Sequence, residues 1–148
     1  MQPHNLEQER LGFKMKVKCI ANTGIDLSLG TKALGNSNET QFSIKIGEIY
    51  TVYGQHLFKG VLGYLILGTY ENLPSWYPVE LFEVVDTILP LEWHFKFYGY
   101  DNNISSMWGY KELVLDENHH DALLEREDKA IRIFLKRKKE IDELYEMF

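Results

Sequence analysis

The sequence is short of most features that would name a chemistry. It has one cysteine, Cys19, in 148 residues, which excludes a disulfide framework and a cysteine-based zinc site. Long apolar runs are missing. The longest, Val61–Leu67, is broken by Gly63 and falls far short of the ~20 residues needed to span a bilayer as a helix. Positive charge is not in excess: 16 Lys and Arg stand against 22 Asp and Glu, a net charge of −6, and such a field repels nucleic-acid phosphates. Met1–Leu11 has no basic start followed by an apolar core, so it does not read as a secretory signal. Internal repeats and low-complexity tracts are also lacking. The expectation is an acidic, soluble, cytoplasmic protein without a membrane segment.

What is plentiful is aromatic. Nine Tyr, eight Phe and three Trp make up 14% of the chain, within an apolar share of 45%. Large rings favour half-buried pleated surfaces and also anchor interfaces. Most of them are expected to fill a small β-rich core. Charge is unevenly distributed. Residues 1–20 carry four basic and two acidic side chains, residues 21–115 five and ten, and residues 116–148 seven and ten. The middle of the chain, where rings and glycines collect, is therefore the most acidic part.

Periodicity divides the chain into 1–12, a flexible leader, 13–86, a β-rich unit, and 87–148, a hairpin with a helical extension. Phe13–Ile20 alternates apolar and basic residues as a half-buried strand does. Asn22–Thr40 has loop composition and is long for a plain connection. Phe42–Ile46, Ile49–Tyr53, Val61–Leu67, Trp76–Tyr77 and Leu81–Val85 read as short strands. Gly54–Gly60 is read as a connector and Pro78–Glu80 as a tight helical turn. Trp93–Tyr100 and Ile104–Tyr110 flank Asp101-Asn102-Asn103 as a hairpin. Lys111–Leu115 is too short for periodicity to decide. In the last segment Leu124, Ile131, Phe134, Ile141, Tyr145 and Phe148 form one apolar stripe, predicting a helix over 121–148 with Asp121 as its N-cap. At ~1.5 Å per residue it would run about 40 Å. It must then break near Lys136–Lys139 or project beyond the β unit.

Two elements carry a family likeness. Ile46-Gly47-Glu48-Ile49-Tyr50-Thr51-Val52 resembles the strand that follows the diverging turn of SH3 domains. Trp76-Tyr77-Pro78-Val79-Glu80-Leu81-Phe82-Glu83-Val84-Val85 resembles their closing strand, one-turn helix and last strand. The resemblance covers 13–86 and implies an α+β protein: a small SH3-like antiparallel β-barrel with an extra hairpin and a long C-terminal α-helix. It departs from the peptide-binding members, because Leu81 stands where their groove has a Tyr and the strand at 61–67 lacks their Trp pair. Polyproline recognition is therefore not expected. The whole chain is also similar to small bacterial proteins with a Trp-Tyr-Pro-x-Glu-Leu-Phe element and a charged C-terminal helix, many of which act as immunity partners of secreted toxin domains.

No residue constellation supplies a reaction, and neither a cofactor nor a metal is expected. His119-His120 beside Asp116, Glu117 and Asp121 could suggest a metal site or a general base. Adjacent helical residues point apart, however, and the cluster reads better as a helix entrance. His56 and His94 lack partners at ligand spacing, and Ser105-Ser106 lacks a nucleophile-elbow setting. Lys136-Arg137-Lys138-Lys139 could contact nucleic acid, which is the alternative reading, but the acids that follow favour a solvated face with ion pairs along the helix. The combination with most content is acidic and aromatic: Glu71, Trp76, Tyr77, Glu80, Glu83 and Asp86. These are the candidate residues for binding a basic protein partner such as a toxin domain, steered by carboxylates and anchored by rings. Whether Trp76 and Tyr77 are core or interface stays open in the sequence.

Overall fold

The computed structural model describes residues 14–69 and 73–146, so the 1–12 leader lies outside the described residues. The protein is α+β, with eight strands in two antiparallel sheets and four helices among the described residues. The strands are β1 (Lys16–Cys19), β2 (Ile49–Thr51), β3 (Gly54–Phe58), β4 (Val61–Ile66), β5 (Ser75–Pro78), β6 (Phe82–Asp86), β7 (His94–Phe97) and β8 (Ile104–Gly109). One sheet has the order β2-β1-β6 and the other β5-β4-β3-β8-β7. The two are separately hydrogen-bonded, and no closed barrel is found among the described residues.

The alternating residues Phe13–Ile20 do hold a strand, β1, which buries Val17 and Cys19 while Lys18 faces out. Phe42–Ile46 is not a strand, because its backbone bonds go to scattered partners. Phe42 N–H donates to the Asn22 carbonyl, Ile44 N–H to the Phe42 carbonyl, and Lys45 N–H to the Tyr50 hydroxyl. Gly54–Gly60, read as a connector, is mostly strand β3. Only Lys59 and Gly60 make the turn to β4, both at positive φ (48° and 80°), as a two-residue hairpin requires. The long 22–40 segment contains a 3-10 turn at Gly24–Asp26 and a one-turn helix, α1 (Leu29–Lys32), capped by the Ser28 hydroxyl. A second 3-10 turn, Val79–Leu81, leads into β6 as expected.

The 94–109 hairpin does not stand apart. β8 pairs with β3 along Gly54–Phe58 and extends the sheet. Three helices then cover one face of that sheet: α2 (Lys111–Leu115), α3 (Glu117–Leu124) and α4 (Asp128–Glu146). The helix expected over 121–148 is therefore corrected. Asp116, not Asp121, caps α3, accepting from the Asn118 and His119 N–H groups. The break falls at Arg126 rather than at Lys136–Lys139. Arg126 N–H donates to the Leu123 carbonyl and Glu127 N–H to that of Ala122, the paired bonds that close a helix through a left-handed residue. Arg126 takes that role at φ 60° although it is not glycine. Its guanidinium donates to the Pro74 carbonyl and, at 2.8 Å, to the Ser75 hydroxyl, which ties the helix corner to β5.

Two cores result. Val17, Tyr50, Val52, Tyr64, Ile66, Tyr77, Leu81 and Phe82 fill the space between the sheets. Tyr53, Leu65, Met107, Tyr110, Leu113, Val114, Leu123, Phe134 and Ile141 fill the space between the five-stranded sheet and the helices. Phe134 is fully buried and meets Tyr53 and Tyr110 edge-on at 5.4 and 6.1 Å. Beside it Arg137 donates to both Glu112 carboxylate oxygens (2.8 and 2.7 Å), joining α4 to α2. The basic run of α4 is thus largely engaged: Arg137 also meets Glu140, Lys138 meets Asp142, and Lys139 meets Glu143. Truncating Phe134 to Ala should cost about 3–5 kcal/mol, read as a lowered urea midpoint, with the second core loosened first in hydrogen exchange.

Candidate functional site

Adjacent residues of a strand face opposite sides of the sheet, and this separates the two rings expected to act together. On β5, Tyr77 is buried in the first core, edge-on to Phe42 and Phe82. Trp76 points to the other face, half-buried against the second core. Their side chains leave β5 on opposite faces. Nor do the carboxylates gather. Glu80 turns inward to α1, accepting from the Thr31 hydroxyl, the Ser28 N–H (2.6 Å) and the Ser28 hydroxyl (3.2 Å). Burial pushes the Glu80 carboxyl up, but these hydrogen bonds outweigh it and hold the group below the usual range. On β6, Glu83 stands opposite Lys18 and Asp86 opposite Lys16. Glu71 lies outside the described residues.

An acidic and aromatic surface does exist on α3 and its flanks. Between 116 and 128 six carboxylates, Asp116, Glu117, Asp121, Glu125, Glu127 and Asp128, are exposed. The single cation among them, Arg126, is held by β5. A groove of about 610 Å³ runs between α3 and the β7–β8 hairpin, with Glu117 and Asp121 on one bank and Lys96, Asn102 and Asn103 on the other. Its apolar surface comes from Phe58, Phe97, Ile104 and Leu124, of which Phe97 is 49% and Leu124 54% exposed. Sequence reasoning met these residues as hairpin, helix entrance and apolar stripe. The six acids crowded between 116 and 128 are the signal in the sequence that could have marked this surface.

The histidines divide as their positions on α3 dictate. His119 is buried, with Nε2 at 2.7 Å from the Tyr110 hydroxyl, and burial lowers its pKa. His120 points the other way, with Nδ1 at 3.4 Å from Asp121. Among the described residues no three His, Cys, Asp or Glu side chains are grouped to hold a metal. Cys19 is buried and its thiol donates to the Ala21 carbonyl, with burial raising its pKa against that bond. Ser105 and Ser106 are buried in β8, and His94 is exposed on β7.

His56 on β3 was not singled out by any spacing, yet the sheet gives it a particular place. It lies opposite Gly63 of β4, and a Cβ there would come within 2.7 Å of the imidazole Nε2. The missing side chain lets the ring lie across β4 and stack on Trp76, with centroids 3.8 Å apart and planes 8° apart. Burial, then the neighbouring His120, lowers the His56 pKa to about 3. No family model, curated protein or solved structure matches the chain.

Two measurements test this arrangement. Gly63→Ala should displace His56 and cost about 1–3 kcal/mol by overpacking, with a shift in tryptophan emission. His56 takes its proton near pH 6.5 when unfolded and near 3 when folded. The unfolded chain therefore binds more protons between those values, and the stability present above pH 6.5 is lost as pH falls through the window. From pH 7 to pH 5 this amounts to about 2 kcal/mol. His56→Phe should flatten the urea midpoint against pH by that amount.

Proposed function

We propose that the protein is a non-enzymatic, cytoplasmic inhibitor of the immunity type, neutralising a basic toxin or effector domain. The observation that carries this reading is the pairing of the acidic 116–128 surface with the exposed Phe97 and Leu124 of the groove it borders. Carboxylates of one sign steer a basic partner, while rings and aliphatic groups that become dry on contact hold it. The acidic and aromatic logic expected at Glu80 and Glu83 is thereby moved to α3 and the hairpin, since the former residues are occupied within the chain or face lysines.

We further read residues 13–86 as an SH3-type unit. In support, β1 pairs with both β2 and β6, the chain passes between sheets from Thr51 to Gly54, and a 3-10 turn precedes the last strand. On this reading β7, β8 and the helices are additions that carry the binding surface.

Affinity purification of the full chain from its native host should yield one basic protein at 1:1, with association slowing steeply as salt rises. A double reversal, Glu117→Lys with Asp121→Lys, should weaken that complex at least tenfold, whereas Glu83→Lys should not. A recovered partner that is acidic, or one that ignores the double reversal, contradicts the reading.

A further inference from the structure

A second cleft lies on the other side of Phe58 and Leu124, between the 29–42 segment, β3–β4 and α3. It holds about 300 Å³ and is walled by apolar groups including Leu34, Phe42 and Leu62, and among the described residues no Lys, Arg, Asp or Glu lines it. Three residues of its wall bring polar atoms that have no partner among the described residues and are shut off from solvent: His56 Nδ1, Trp76 Nε1 and His120 Nε2. His56 itself is 9% exposed. They come from β3, β5 and α3, so the fold has brought them together around one space. We propose that this cleft binds a small, uncharged, ring-shaped molecule bearing a hydroxyl group.

The polar atoms set the ligand's chemistry. An indole N–H only donates, so Trp76 calls for an acceptor. His120 turns Nδ1 toward Asp121 at 3.4 Å, which in the neutral ring leaves Nε2 as an acceptor and calls for a donor. One hydroxyl supplies both. A charged ligand would leave water for a wall with no counter-charge, which is costly. His56 adds none, because burial keeps its imidazole neutral. The size follows from volume: an apolar cavity of roughly 150 Å³ takes benzene, so this one takes a substituted or fused ring. The three nitrogens sit behind the wall, so a side chain must turn to admit the hydroxyl. His56 and Trp76 are stacked ring on ring, with centroids 3.8 Å apart, whereas the His120 ring lies 6.3 Å from Trp76 and is the ring that shifts, with Nδ1 kept toward Asp121.

Titration of the full chain with p-cresol and with toluene, followed by NMR, tests the assignment. Saturable p-cresol binding is expected, about tenfold tighter than toluene since two hydrogen bonds separate the two ligands. Contacts should run from the p-cresol ring to the Leu34 and Leu62 methyl groups. Trp76→Phe keeps a ring to stack on His56 and removes the donor. It should bring p-cresol down toward the toluene affinity and leave toluene unchanged. Should that variant not fold, the wild-type affinity ratio and methyl contacts decide alone. No saturation, equal affinities for the two probes, or contacts confined to the hairpin rings Phe95 and Phe97 would overturn the proposal.

Discussion

The structure depends on one strand being buried on both faces. Along β4, Tyr64 and Ile66 enter the core between the sheets while Leu65 enters the core under the helices. A strand in that position cannot alternate apolar with polar, which is why Val61–Leu67 is apolar throughout except at Gly63. Two separate cores must form against it. Each side of the molecule packs against β4 and the strands beside it.

The helical layer shows how the rest follows. Phe134 packs edge-on to Tyr53 of the β2–β3 link and Tyr110 at the start of α2, so one ring fixes α4 against both. To bring Phe134 there, the chain must turn after α3. Arg126 makes the turn in a left-handed conformation that an L residue adopts at a cost, offset in part by its hydrogen bonds to Pro74 and Ser75. The turn leaves α3 lying along the sheet with its acids outward. The acidic surface is thus a by-product of seating α4.

Gly63 plays the complementary part inside the sheet. By carrying no side chain between β3 and β5 it allows His56 to reach Trp76, and two polar rings end up where a strand would ordinarily present aliphatic groups. The cost of burying them is the depressed basicity of His56. The same stack gives the adjoining cleft its unusual polar wall.

Much of the β-rich half was legible in the sequence: β1 from alternation, β4 from its apolar run, and β6, the 3-10 turn at Val79–Leu81 and the 94–109 hairpin from their strand and turn residues. β3 did not, because Gly54 and Gly60 mark its ends as a loop would, and only pairing with β4 and β8 shows it to be central. The helix break was hidden for a related reason: Arg126 replaces the glycine that usually announces one, and its partners lie about fifty residues away. Composition alone determined that the chain is acidic, aromatic-rich and free of disulfides, since those are sums over residues and independent of shape. Only the tertiary structure decided which acids and rings share a surface. Strand parity sends Trp76 and Tyr77 to opposite cores, Glu80 is drawn to Thr31 forty-nine residues earlier in the chain, and Phe97 meets Glu117 and Asp121 across a groove that exists only once α3 has folded back over the sheet.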